Sequence, residues 1–162
     1  MSKTVTLNFT DTAGGTAPTI TMSAINYGTD FVKVANQAGL ADLSNLTSPT
    51  DAPNTVRFSL NPISDIYKGT PVTDAYKSPN KSGFSLLSQC NVVATITDSE
   101  DATYRVDLPL SAHIVLKAPY DANITTAHLV TISNRALGGL YETDGTLRVG
   151  NMARGGLLPA DL

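Results

Sequence analysis

The chain has 162 residues, of which 41% are hydrophobic and only 15% charged, and its formal net charge is −3. That length suits one domain with a real core, and the mild acidity excludes strong non-specific nucleic-acid binding by the domain as a whole, though not a local basic face. The single cysteine, Cys90, excludes an internal disulfide and a cysteine metal cluster.

The N-terminal MSKTVTLNFT shows no charged region followed by an apolar one, and no apolar run approaches the roughly 18 residues of a membrane helix. The protein is therefore expected to be soluble and made in the cytosol. Val5, Leu7 and Phe9 alternate with polar residues, as do Ile20, Met22 and Ala24, on either side of Gly14-Gly15. This predicts a β-hairpin over residues 1–26. Phe31 to Val34 reads as a short strand, and 37–53 as a long loop with a helical turn around Leu40 to Leu46.

The sheet proper spans 27–118. Val56, Phe58 and Leu60 share one face of a strand, with Thr55, Arg57, Ser59 and Asn61 on the other. After a polar connection from Ser64 to Ser82, the even positions Phe84, Leu86, Cys90, Val92, Ala94 and Ile96 are apolar. Cys90 in that row reads as a buried small hydrophobe. An acidic loop, Asp98-Ser99-Glu100-Asp101-Ala102-Thr103, leads into Tyr104–Ala118, where every even position is apolar and the odd ones include Arg105, Asp107, Ser111, His113 and Lys117. Beyond Pro119 the period becomes helical. Leu129, Ile132, Ala136 and Leu140 mark a helix over 125–141 capped by Thr125 or Thr126, and 146–154 reads as a shorter one.

Strands followed by helices make the chain α+β, with one domain over 1–162 and helices over 124–156. Two modest helices cannot cover five or more strands. An obligate dimer, with each helix pair packed across the partner's sheet, is the expected solution.

No catalytic constellation accompanies these elements. The acidic loop lacks the alternating ligands and turn glycine of a calcium site. His113 and His128 sit in no zinc spacing, and His128 falls in a first helical turn, where a structural role is the default. His113 and Asp107 lie six residues apart on one strand, too far to touch. No enzyme activity, metal or cofactor is predicted. The odd-parity face collects Arg57, Ser59, Asn61, Gln89, Asn91, Thr95, Arg105, His113 and Lys117, with Asp107 as its one acid. Any one-sided antiparallel sheet turns polar residues to water. The same donors also suit a folded RNA hairpin, which is read through loops and phosphates.

From about Val56 to Leu158 the element order resembles the coat proteins of single-stranded RNA bacteriophages of the levivirus type. Val106-Asp107-Leu108-Pro109-Leu110-Ser111-Ala112 is similar to the family's "LP" strand, and the strand to Pro119 and the helix from Thr125 follow as in the family. Ser64-Asp65-Ile66-Tyr67-Lys68-Gly69-Thr70-Pro71 also looks like its divergent members. The resemblance implies an N-terminal hairpin, a five-stranded antiparallel sheet, and a dimer interlocked through Leu129, Ile132, Ala136 and Leu140. It further implies an icosahedral virion shell, assembled in the host bacterial cytoplasm, with the sheets facing the RNA genome and the 98–103 loop at the symmetry axes. A genomic hairpin bound by the dimer would repress translation and direct packaging. The family's RNA-contacting strands carry over to Arg57, Ser59, Asn61, Gln89, Asn91, Thr95, His113 and Lys117. Ser111 stands where a stacking tyrosine is common. The chain is longer than the usual member, and 37–53 and 67–82 are assigned to the surplus. A self-polymerising fimbrial or appendage subunit without RNA binding is the alternative from another class.

Overall fold

The computed structural model describes residues 5–7, 25–101, 103–160 and 162. The hairpin expected over 1–26 falls almost wholly outside them. Two compact units divide the chain, one formed by Ile25–Tyr120 and the other containing Asp121–Leu162.

The first unit opens with a single helical turn, α1 (Tyr27–Asp30), and continues as β1 (Phe31–Gln37), β2 (Leu40–Asn45), β3 (Thr55–Ile63), β4 (Gly83–Thr97) and β5 (Arg105–Pro119). The strands make one antiparallel meander in the order β1-β2-β3-β4-β5. The α+β class and the five-stranded sheet are as the sequence predicts, but one strand differs. Leu40–Asn45, expected as loop or helical turn, is β2. Its side chains do alternate, with Ala41 and Leu43 on one face and Asp42 and Ser44 on the other. Asp, Ser and Asn are poor strand formers, so pairing with neighbours on both sides decides its state, not local preference.

Gly39 makes the β1–β2 turn possible. Its φ is +76°, and a Cβ there would sit 2.7 Å from the Leu60 carbonyl oxygen. Gly39→Ala therefore combines a left-handed backbone penalty of about 1–2 kcal/mol with a backbone clash. A clear drop in thermal midpoint, larger than that of an alanine placed at exposed Gly69, is the expected reading.

The register assigns the faces. Leu43, Val56, Cys90 and Ala112 lie in one cross-strand row, and Leu60, Leu86 and Leu116 in another. This is the apolar face. Little covers it. Among the described residues the buried apolar side chains are Ala52, Val56 and Ala118, and no large side chain is fully buried. Leu110 is 58% exposed, Leu108 44% and Leu86 41%. A domain of about 150 residues ordinarily buries about 68–70% of the surface its unfolded chain exposes, so three small buried residues are not a domain core. Cys90 belongs to this face and is exposed, contrary to its expected burial within the chain.

The second unit holds α2 (Thr126–Gly138) and α3 (Val149–Met152). The Thr125 amide donates to His128 Nδ1 at 3.0 Å, so His128 closes the helix start, the structural role its position implies. Leu129, Ser133 and Leu137 form a half-buried stripe, whereas Val130, Ile132 and Ala136 are exposed. The helix ends at Gly138, short of Tyr141, at a glycine pair of low helix propensity.

The second helix is also shorter than the expected 146–154. A turn closed by Glu142 N–H to the Thr146 carbonyl, and a bridge between Tyr141 and Leu147, hold Thr146 and Leu147 out of it. Asp144 fixes that turn by accepting from the Thr146 amide at 2.9 Å and hydroxyl at 2.7 Å. Buried Arg148, just before α3, donates to the Leu157 carbonyl, and Glu142 Oε2 accepts from the Ala160 amide at 3.0 Å, so two side chains pin the segment that follows α3.

Candidate functional site

Side chains of like parity in antiparallel register share a face, and the register here aligns all the polar candidates. One row runs Asp42, Arg57, Gln89, His113; the next runs Ser44, Thr55, Asn91, Ser111. Asn61, Ser85 and Lys117 form a third, and Thr95 opposes Asp107 toward the β4–β5 loop. Arg57, Ser59, Asn61, Gln89, Asn91, Thr95, His113 and Lys117 thus lie together on one sheet face.

Two features of that face go beyond what the sequence predicts. The first is Asp42, brought in by β2. Arg57 Nε donates to Asp42 Oδ1 at 2.7 Å and Nη2 to Oδ2 at 2.9 Å, a bidentate pair. The hydrogen bonds from Arg57 hold the Asp42 carboxyl below the usual carboxylate range, and Asp42 in turn raises Arg57. Asp107 is therefore not the only acid on the face. The second is a largely apolar row, with Leu40, Leu87 and Val115 beside Ser59, which separates the His113 row from the Lys117 row. Leu87 and Val115 break the polar alternation in sequence and were the available signal.

The remaining donors are partly committed to one another. Gln89 Nε2 donates to Asn91 Oδ1 at 2.9 Å, and Asn91 Nδ2 donates to Thr55 Oγ1 at 3.1 Å. A depression of about 130 Å³ lies beside them, lined by Val34, Asp42, Leu43, Thr55, Arg57 and Asn91. Arg105 bonds Asp107 at 3.0 Å and Asp51 at 2.8 Å. Two of the face's three permanent cations are thus paired, which leaves Lys117, among the described residues, outside every ion pair.

The Thr95 hydroxyl, donating to Asp107 Oδ1 at 2.6 Å, and then Arg105 hold the Asp107 carboxyl below its ordinary value of 3.8. A depressed folded value means the contact contributes stability above about pH 3.8 and loses it as pH falls through the folded value. Wild type should exceed Asp107→Asn in stability by a constant margin from neutrality to about pH 4, and the two should converge below it. Denaturant titration at a series of pH values reads that margin.

The face holds no catalytic arrangement. His113 pairs with Gln89 and Asp107 with Thr95, six residues along β5. Among the described residues no group of His, Cys, Asp and Glu could hold a metal ion, and no helix is long and apolar enough to cross a membrane.

A polar sheet face backed by an uncovered apolar one belongs to a subunit built for association. Comparison with solved structures decides which kind. A chain of the virus-like particle of bacteriophage AVE015 superposes with a TM-score of 0.87 at 31% identity, over 99% of this chain and 100% of its own. The chain belongs to the family of bacteriophage coat proteins. Its role is structural, that of a capsid protein. A chain of the virus-like particle of bacteriophage GQ-112 shares the fold, with a TM-score of 0.77 at 16% identity over 96% of this chain and 97% of its own. No sequence family model and no curated protein matches. Near-complete coverage in both directions also means that 37–53 and 67–82 are not insertions relative to the AVE015 coat. The first of those segments contains a strand of the sheet.

Proposed function

We propose that this coat protein forms homodimers that close into an icosahedral shell around a single-stranded RNA genome. The observation that carries the reading is the uncovered apolar face, with Leu86, Leu108 and Leu110 exposed and, among the described residues, only Ala52, Val56 and Ala118 buried as apolar side chains. In the dimer, Leu129, Ile132 and Ala136 of each α2, with Leu140 just past its end, pack across the partner's sheet, and the two sheets join edge to edge. Family membership supports assembly into a particle, and the AVE015 relative is itself a chain of a virus-like particle.

The polar face turns toward the RNA. Arg57, Ser59, Asn61, Gln89, Asn91, Thr95, His113 and Lys117 supply hydrogen bonds, with Lys117 as the phosphate contact that no carboxylate occupies. A genomic hairpin bound there links packaging to translational repression. The loop over 98–103 lies at the symmetry axes, where its small and polar residues tolerate more than one conformation. The protein resides in the virion and assembles in the host bacterial cytoplasm.

Electron microscopy of protein purified after bacterial expression, with the 260/280 nm absorbance ratio of the same fraction, tests both parts. Uniform spheres with a nucleic-acid spectrum are expected. Empty spheres would keep the shell and remove the RNA face; filaments or small soluble species would overturn the shell.

A further inference from the structure

β3 stops before the sheet does. Its first residue, Thr55, pairs with Asn91, so residues 92–97 of β4 pair only with 105–110 of β5. These twelve residues form a two-stranded arm about 20 Å long, at about 3.3 Å per residue, with the 98–103 loop at its tip. Every residue of its β5 half is exposed. Two-stranded ribbons twist more than wide sheets and hold themselves poorly when isolated, so the arm's direction depends on what braces its base.

Among the described residues, two polar contacts join the arm to the rest of the sheet, and both come from the turn between β2 and β3. Asn54 Oδ1 accepts from the Val93 amide at 3.0 Å, and Asp51 Oδ2 meets Arg105 Nη1 at 2.8 Å. The turn is a stiff support. Ser48 Oγ donates to the Asn45 carbonyl at 2.7 Å and accepts from the Asn54 amide at 3.0 Å, and the Asn45 amide donates to the Asn54 carbonyl at 2.8 Å. Pro49 and Pro53 fix two backbone angles, and Ala52 between them is buried.

The two contacts differ in kind. The Asn54 bond is short-range and part-buried, so losing it would strand an amide. The ion pair is open to solvent, with Asp51 61% and Arg105 44% exposed. Such a pair contributes little and weakens with salt. Breaking it also strands no charge. Arg105 keeps Asp107 through Nη2 at 3.0 Å and Nε at 3.1 Å, while Asp51 turns to water.

We infer that Asn54 is the pivot, and the Asp51–Arg105 pair the releasable strut, of an elbow that lets the arm take two angles to the sheet. This rests on the shell reading above. A shell of many copies sets identical chains in unlike surroundings, and a joint whose two states lie close in free energy is one that neighbouring subunits can tip. Asp51 thus acts as a positioning residue for shell geometry.

Electron cryomicroscopy of particles from wild type, D51N and D51E tests the elbow. Wild-type particles should show the arm at two angles, the strut closed in one and open in the other, with the Asn54–Val93 bond kept in both. D51N should shift each subunit toward the open angle by up to about fivefold, the most an exposed pair usually contributes, and widen the spread of particle diameters. D51E, which keeps the carboxylate, should retain the wild-type spread. Raising salt during assembly should move wild type toward D51N and leave D51N where it is. A single arm angle throughout the wild-type shell, or a D51N variant that matches wild type in diameter and salt response, overturns the elbow while leaving the shell intact. The wild-type reconstruction decides even if D51N fails to fold. Wild type that forms no particles removes the shell reading, and the elbow's role with it.

Discussion

Leu110→Asp should abolish particle assembly. In the isolated chain this residue is 58% exposed, and a substitution at so open a site ordinarily changes stability by no more than about 0.5 kcal/mol. Covered by a second subunit, the new carboxylate is buried without a partner, at a cost of about 3–5 kcal/mol. Each dimer carries the change twice. At about 1.4 kcal/mol per factor of ten, even one copy weakens association by more than a hundredfold. Dynamic light scattering and electron microscopy of the expressed variant should show no particles, and the same exchange at Tyr76, which is 85% exposed and outside the sheet, should leave assembly intact. Normal particles from Leu110→Asp would mean that the apolar face is not the one the shell buries.

The second large effect concerns RNA, and Asp42 governs it. Because Asp42 occupies two donors of the Arg57 fork, this arginine meets a phosphate through them only by giving up two charge-assisted bonds. Asp42→Asn should therefore tighten RNA binding and steepen its salt dependence. Each phosphate contact contributes about 0.7 to the slope of log K against log salt for single strands, so two freed arginines per dimer add about 1.4. Lys117→Ala should remove about as much. Arg57→Ala, by contrast, should alter the slope less than Lys117→Ala, since its charge is already matched. Filter-binding or anisotropy titrations at several salt concentrations measure all three. An unchanged slope in both Asp42→Asn and Lys117→Ala would sink the assignment of RNA to this face.

The long strands were legible because long alternation leaves no competing period: it runs from Tyr104 to Ala118 and is clear from Gln89 to Thr97, and Arg105–Pro119 and Gly83–Thr97 contain those stretches almost entirely, in an unbroken register. Shared parity likewise predicted that Arg57, Gln89 and His113 would align. What escaped was Asp42. Six residues with three poor strand formers carry too little pattern to outweigh loop chemistry, and only the neighbouring strands make β2 a strand. Missing β2 meant missing the carboxylate that neutralises Arg57, so the charge of the candidate site was misjudged even though its residues were correctly grouped. The second helix failed for a related reason. Asp144 and Gly145 read as a stop for α2, yet they build a turn that also delays the start of α3.

The scarcity of buried apolar side chains among the described residues has a consequence for timing. When the hydrophobic contacts that favour the native state lie between subunits, folding becomes second order in chain concentration, and each tenfold rise in coat level adds about 1.4 kcal/mol to the stability of the assembled form. On the dimer reading, dilute chains would remain exposed to proteases and few folded dimers would accumulate, and folded subunits would appear steeply once synthesis passed the association threshold. On the same reading, a subunit that exposes Leu86, Leu108 and Leu110 until it meets its copy would work as a concentration gauge, delaying shell formation until enough coat exists to finish one.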